Sequence, residues 1–213
     1  MIPLMIDLAA RHVVIFGGGA VGARKAAFFS GEARVTVISR SFLPALLRPG
    51  IERIEAECAG MDEAGLNHLI RDAFLVVAAT SDPGLNDRIG RAARSAGALF
   101  NNADGEAGDV LIPSVIRGER YLVALSTGGA SPAVPRFLRE HLEERFPHLD
   151  TMIGVQARLR EDLKECIGSQ EERQRILRAV LRDPEAWAWL SSGEEGAYQR
   201  IWERYISGKD TPY

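Results

Sequence analysis

The chain has 213 residues, enough for one large domain or two small ones. Hydrophobic residues make up 46% and charged residues 26%, a globular balance that excludes disordered, collagenous and coiled-coil classes. The formal net charge of -3 gives no electrostatic case for nucleic acid as a partner, and two cysteines, Cys58 and Cys166, supply neither a disulfide framework nor a four-cysteine metal site.

The amino-terminal stretch MIPLMIDLAARHVVIF is interrupted by Asp7, Arg11 and His12. It falls short of the ~20 apolar residues that cross a bilayer and lacks the layout of an export signal, so a soluble, cytoplasmic protein without a membrane partner is expected. His12 to Phe16 is a β-rich run ending in glycines, and a helical pattern follows from Gly22 to about Gly31. Val35 to Ser39 is a second β-branched run, 41–48 a short helix, and Ile51 to Glu57 an alternating strand. Residues 62–72 are helical; Phe74 to Thr80 is almost continuously apolar, as a strand covered on both faces should be. A helix over Leu85 to Ala96 and a strand from Ala98 complete a βαβ series, which predicts a mostly parallel sheet. VLIPSVIRGERYLVALS then reads as an antiparallel hairpin turning at Gly118. A helix follows with Ser131 as cap and Pro132 at its first position. Helical periodicity continues over 150–166, 170–182, 184–190 and 194–206. The fold class is therefore α/β: a Rossmann-like parallel sheet over 1–112, a hairpin-helix region over 113–146 and a small all-helical domain over 147–213.

The first strand runs into Gly17-x-Gly19-x-x-Gly22, with Ala20 and Val21 between, and this turn opens a helix. Strand, glycine turn and helix together are the setting of a dinucleotide site: Gly17 for the tight turn, Gly19 for backbone approach to a pyrophosphate, Gly22 for close helix packing. The second strand ends in Ser39 and Arg40, where NAD sites of this type often carry a carboxylate about 20 residues on. Arg40 suits a 2'-phosphate, while Ser39 or backbone groups can serve NAD, so the residues leave NAD and NADP both open. At the end of the fourth strand, Thr80, Asp82 and Asn86 stand on the same sheet edge; Asp82 serves equally as a helix cap.

The fifth strand delivers Asn101, Asn102 and Asp104 to the carboxyl edge, where open α/β sheets bind ligands, although Asn and Asp-Gly also make ordinary turns. Ser126, Thr127, Gly128, Gly129 and Ser131 form a second glycine loop before a helix, able to hold an anion or simply to turn. Arg117, Arg120, Arg136 and Arg139 flank it and suit carboxylates. No phosphate-loop, HExxH or GxSxG pattern occurs, and the four histidines do not space as metal ligands. Two other readings compete. A short-chain reductase would need a Tyr-x-x-x-Lys pair, which occurs only as Tyr205 and Lys209, at the carboxyl end with Gly208 between. A non-enzymatic NAD(H)-sensing domain would carry the same first glycine loop.

The pieces GGGAVGARKA (17–26), AATSDPGLN (78–86), NNAD (101–104), IPSVIRG (112–118) and STGGASPAVPRFLREHLE (126–143), in this order, resemble the precorrin-2 dehydrogenase/sirohydrochlorin ferrochelatase family, also seen as the amino-terminal module of siroheme synthase. The resemblance implies NAD-dependent dehydrogenation of the tetrapyrrole precorrin-2 to sirohydrochlorin, with Fe(II) insertion in some members and dehydrogenation alone in others. It implies cofactor contacts along Gly17–Gly22 and Thr80–Asn86, a catalytic Asp104, and tetrapyrrole binding around Asn101, Asn102, Arg117 and Ser126–Ser131. It also implies a homodimer built on the hairpin and following helix, and a separate methyltransferase to supply precorrin-2; the residues themselves show no iron cage, so no resident metal is expected.

Overall fold

The structure, a computed structural model, describes residues 2–103 and 108–207. The chain divides into two compact units, Met1–Ile112 and Pro113–Tyr213.

In the first unit, strands β1 (His12–Phe16), β2 (Arg34–Ser39), β3 (Ile51–Glu55), β4 (Leu75–Ala78) and β5 (Leu99–Asn102) form one sheet in the order β3-β2-β1-β4-β5. Every pairing is parallel. Helices α1 (Ala20–Phe29), α2 (Glu63–Leu69) and α3 (Pro83–Ser95) cross between strands. The period-two geometry of a strand sorts the side chains. Val14, Phe16, Val76, Ala78 and Phe100 face one way, against Leu66 of α2, Ile70 at its end, and Leu85, Ile89 and Ala93 of α3. Val13, Ile15, Val35, Val37, Leu75 and Val77 face the other way, against Ala26 and Phe29 of α1 and Leu46. Coverage on both faces explains why β1 and β4 read as unbroken apolar runs.

The order reverses direction between β1 and β4, and the ends of these two strands therefore diverge into different crossovers. Such a switch point opens a crevice at the carboxyl edge of the sheet. Some expected boundaries shift. Helix α1 starts at Ala20, before Gly22, because Gly19 already stands as its cap. The expected helix over 41–48 is a single 3-10 turn, Pro44–Leu46. Strand β3 ends at Glu55 and buries only Ile51, as befits the edge strand of the sheet.

The second unit contains the antiparallel pair β6 (Ser114–Arg117) and β7 (Leu122–Leu125), then α4 (Ala133–Arg145), α5 (Leu149–Cys166), α6 (Gln170–Arg182), α7 (Pro184–Trp189) and α8 (Gly193–Trp202). The hairpin starts after Pro113, which has no N–H to give to a ladder, so Val110 to Ile112 are not part of it. Its turn is held from α5: the Asp150 carboxylate accepts from the backbone N–H of Glu119 at 3.0 Å and of Arg120 at 2.8 Å. Met152, Val155, Leu159 and Leu163 of α5 meet Ile176 and Val180 of α6 and Ala197, Tyr198 and Ile201 of α8 in a closed core. Ser131 does not cap α4; Pro132 holds that place, and the Ser131 N–H is bonded back to Thr127 Oγ1 at 3.0 Å.

Candidate cofactor site

Glycine does three different things in the turn after β1. Gly17 has φ +113, a region L side chains rarely occupy, and a Cβ there would lie 2.3 Å from Ala79 O at the end of β4. Gly22 lets α1 lie on that turn, since a Cβ would meet Gly17 O at 1.8 Å. Gly19 has nothing within 4 Å of a Cβ position, so its bareness serves no internal packing. Gly18 was not singled out by the sequence pattern, yet a Cβ there would meet Ser41 O at 2.0 Å and its carbonyl accepts from Leu43 N–H at 3.0 Å. The turn is therefore fixed against the ends of both β2 and β4.

Helix α1 opens on Gly19 with no side-chain cap and no acidic residue in its first turn. Asp62, Asp82, Ser169 and Asp183 cap α2, α3, α6 and α7 with their own oxygens, while α4, α5 and α8 start without a side-chain cap as α1 does; of these uncapped starts, that of α1 lines a cavity. The amides at the start of α1 and the positive end of its dipole are thus left for an external anion.

A cavity of about 590 Å³ lies against this turn, a volume within the usual range for small-molecule sites. Gly17, Gly19, Ala20 and Val21 line its floor, Ser39 and Arg40 one side, Thr80 and Asp82 another, and Ala103 the end nearest β5. Eight expected cofactor residues are therefore brought together, counting those first four, Ser39, Arg40, Thr80 and Asp82. Gly22 and Asn86 stand behind the wall. Asn86 is buried and takes Thr80 N–H at 3.2 Å and Thr80 Oγ1 at 2.7 Å on its Oδ1, while its Nδ2 donates to Thr80 O at 3.2 Å. It shapes the turn that borders the cavity. Asp82 both lines the cavity and caps α3, accepting from Leu85 N–H at 3.2 Å.

The loop after β3 supplies a wall that the glycine pattern gave no reason to expect: Ala56, Glu57, Cys58 and Ala59. Arg88 of α3 fastens it by donating to Ala59 O at 2.7 Å and to Met61 O. Burial, and after it the Glu57 carboxylate, pushes the Cys58 thiol above its usual range, which favours the neutral thiol over the thiolate. Glu57 pairs with Arg40 at 3.1 Å.

Asp104 lies outside the described residues; Ala103, just before it, lines the cavity and its N–H donates to Ala78 O at 2.9 Å. Asn101 is buried with its Nδ2 donating to Val110 O at 2.7 Å, and its Oδ1 is buried without a hydrogen-bond partner among the described residues. Asn102 is half-buried at the end of β5. In the second unit, Arg117 ends β6. Thr127 Oγ1 donates to Ser131 O at 2.8 Å, Gly128 N–H donates to Ser126 Oγ at 3.1 Å, and Gly128 and Gly129 take φ +64 and +93. This loop is pre-shaped by its own hydroxyls. Tyr205, the one tyrosine with a lysine four residues on, gives its hydroxyl to Asp183 at 2.8 Å within the helical unit, and Lys209 lies outside the described residues. Among the described residues no group of three or more His, Cys, Asp or Glu side chains gathers as a metal site, and no helix is long and apolar enough to cross a membrane.

Fold and cavity together define an NAD(P)-binding protein of the Rossmann type, and residues 4–114 match a family model described as putative NAD(P)-binding. Over 206 residues the chain is 39% identical to a precorrin-2 dehydrogenase of Methanosarcina barkeri, covering 94% of this chain and 92% of that one. It is 31% identical over 212 residues to siroheme synthase 2 of Cronobacter sakazakii, covering 97% of this chain but 45% of that longer protein. A solved structure described as SirC, precorrin-2 dehydrogenase, shares the fold with TM-score 0.69 at 22% identity, over 96% of this chain and 100% of that one. The chain belongs to the precorrin-2 dehydrogenase family, whose fold also forms part of the siroheme synthases.

Proposed function

We propose that this chain oxidises precorrin-2 to sirohydrochlorin with NAD as the electron acceptor. The observation that carries the reading is the uncapped start of α1 beside Gly19, opening into a cavity bordered by the ends of β1, β2 and β4. A pyrophosphate fits that opening, where bare backbone and unpaired amides meet. The adenosine end then runs toward Ser39 and Arg40, and the nicotinamide end toward Thr80 and Ala103. NAD, when bound, accepts the hydride; the protein supplies position and electrostatics.

In the reaction one C–H bond of the reduced macrocycle breaks with its electron pair leaving as hydride, and a proton departs from the substrate. Asp104 is the residue assigned to hold that proton, being next in the chain after the cavity residue Ala103. Asn101 and Asn102 enter the same reading as substrate contacts, with Arg117 and the Ser126–Ser131 loop meeting the peripheral carboxylates of a tetrapyrrole. Segment 113–146 is also the proposed dimerisation region: Val134, Phe137 and Leu138 on α4 and Leu122 on β7 are large apolar side chains left exposed. Fe(II), where it is used, is a substrate of a second step at the same aspartate.

Purified protein given precorrin-2 and NAD should form sirohydrochlorin with one NADH per turnover, read from product absorbance. Failure to turn over precorrin-2 while binding NAD would favour a sensing domain instead. Sirohydrochlorin with Fe(II), against a control without enzyme, separates a dehydrogenase that also chelates from one that does not.

A further inference from the structure

Where β2 ends, the chain carries no carboxylate to grip the adenine ribose; it carries Ser39 and Arg40. A carboxylate nevertheless reaches that side of the cavity, from the neighbouring strand's exit. Glu57 lines the same wall as Arg40, and its Oε2 lies 3.1 Å from Arg40 Nη1. Its other oxygen, Oε1, accepts from Ala59 N–H at 3.1 Å, and Arg88 holds Ala59 in turn. The carboxylate is therefore held at both oxygens, on a loop that is itself tied down. Both charged side chains keep access to solvent, with Arg40 74% and Glu57 53% exposed, so a ligand can reach them.

We propose that Glu57 selects NAD over NADP. The proposal rests on reading this cavity as the dinucleotide site. A ribose diol donates hydrogen bonds to a carboxylate, which gains strength from the charge. A 2'-phosphate would set close to two further negative charges beside Glu57 and would have to separate Arg40 from it. Arg40, the group that a 2'-phosphate would seek, is thus already occupied by a fixed anion. The discrimination works mainly by repulsion of the wrong cofactor.

Calorimetric titration of NAD and NADP into the full-length wild type, Glu57→Gln, and the double variant Glu57→Gln/Arg40→Gln tests this. The wild type should bind NAD more tightly. Glu57→Gln should raise NADP affinity and narrow the preference by about tenfold or more, an effect weakened by salt. Adding Arg40→Gln should remove that gain. A wild type that prefers NADP, or a Glu57→Gln variant that still binds NAD with the preference unchanged, would overturn the role of Glu57 and leave the cavity standing as a cofactor site. A folded wild type that binds neither nucleotide would overturn both.

Discussion

Gly17 and Gly19 are each backbone alone, yet they answer to different demands. Gly17→Ala places a methyl group 2.3 Å from Ala79 O with φ at +113, so both strain and collision oppose it. The variant should lose several kcal/mol, roughly 3 or more, in urea unfolding. Gly19→Ala meets nothing within 4 Å and should change stability by less than about 1 kcal/mol, while NAD binding measured by titration drops sharply. Equal loss of stability in both variants would place the two glycines in one packing role. Asn86→Ala would strand the Thr80 N–H and carbonyl under the cavity wall, and should cost about 2–3 kcal/mol and weaken NAD binding together. The spacing of Gly17, Gly19 and Gly22 was legible because each answers to a rule of strand–turn–helix geometry. Gly18 and Glu57 were not, because their roles depend on where Ser41 and Arg40 come to lie, which is a tertiary matter. For Asn86, helical spacing placed it correctly within α3 and left its partner Thr80, six residues back, undetermined.

Among the elements, the strands of the first sheet followed directly from their β-branched runs, since burial on both faces leaves a continuous apolar signature. Strand β3 misled in part: its alternation promises a half-buried strand, but at the sheet's edge only Ile51 is buried and Ile54 is exposed. The start of α4 also escaped the capping rule, because Thr127 competes for Ser131 through a local hydroxyl bond. Across β1, β2 and β3 the polar side chains link up, with His12 Nε2 sharing a 2.9 Å bond with Thr36 Oγ1, which donates to Glu52 at 2.8 Å. Burial first, then Arg34, holds the His12 ring below its ordinary value, against the opposing pull of Glu52. Protonation thus favours the unfolded chain. The stability contributed by a neutral His12 is complete above the usual histidine value near 6.5 and falls away as pH drops below it toward the lowered folded value. His12→Gln should flatten the decline in unfolding midpoint between about pH 7.5 and 5.5; an unchanged slope would assign that decline to other groups. On α4, Phe137 is 65% exposed, and its ring stacks on His141 at 6.1 Å between centroids. Phe137→Asp should convert a dimer to a monomer in light scattering if this face is the subunit contact, and leave the mass unchanged if it is not.

At the scale of the whole molecule, the chain joins a nucleotide-binding unit to a second unit with its own helical core. The first unit was readable as chemistry because dinucleotide binding is done by backbone, and backbone geometry leaves its mark as glycine spacing. The helical part of the second was readable only as periodicity. Several of its aromatic and charged residues pair with one another: Arg158 lies 3.7 Å over the Tyr198 ring, whose hydroxyl donates to Asp162, and Arg204 spans Asp183 and Glu185. Such pairings depend on which helices meet, and helical spacing alone does not say so. The proposed reading is that one cavity holds NAD while Asp104, next in the chain after the cavity residue Ala103, handles the proton of precorrin-2 oxidation. It is tested most directly by measuring NADH formation from precorrin-2 and NAD affinity side by side in the wild type and Asp104→Ala. The expected result is turnover lost in the variant, by about 100-fold or more, with NAD affinity unchanged; near-normal turnover, or turnover and NAD binding lost together, would contradict it.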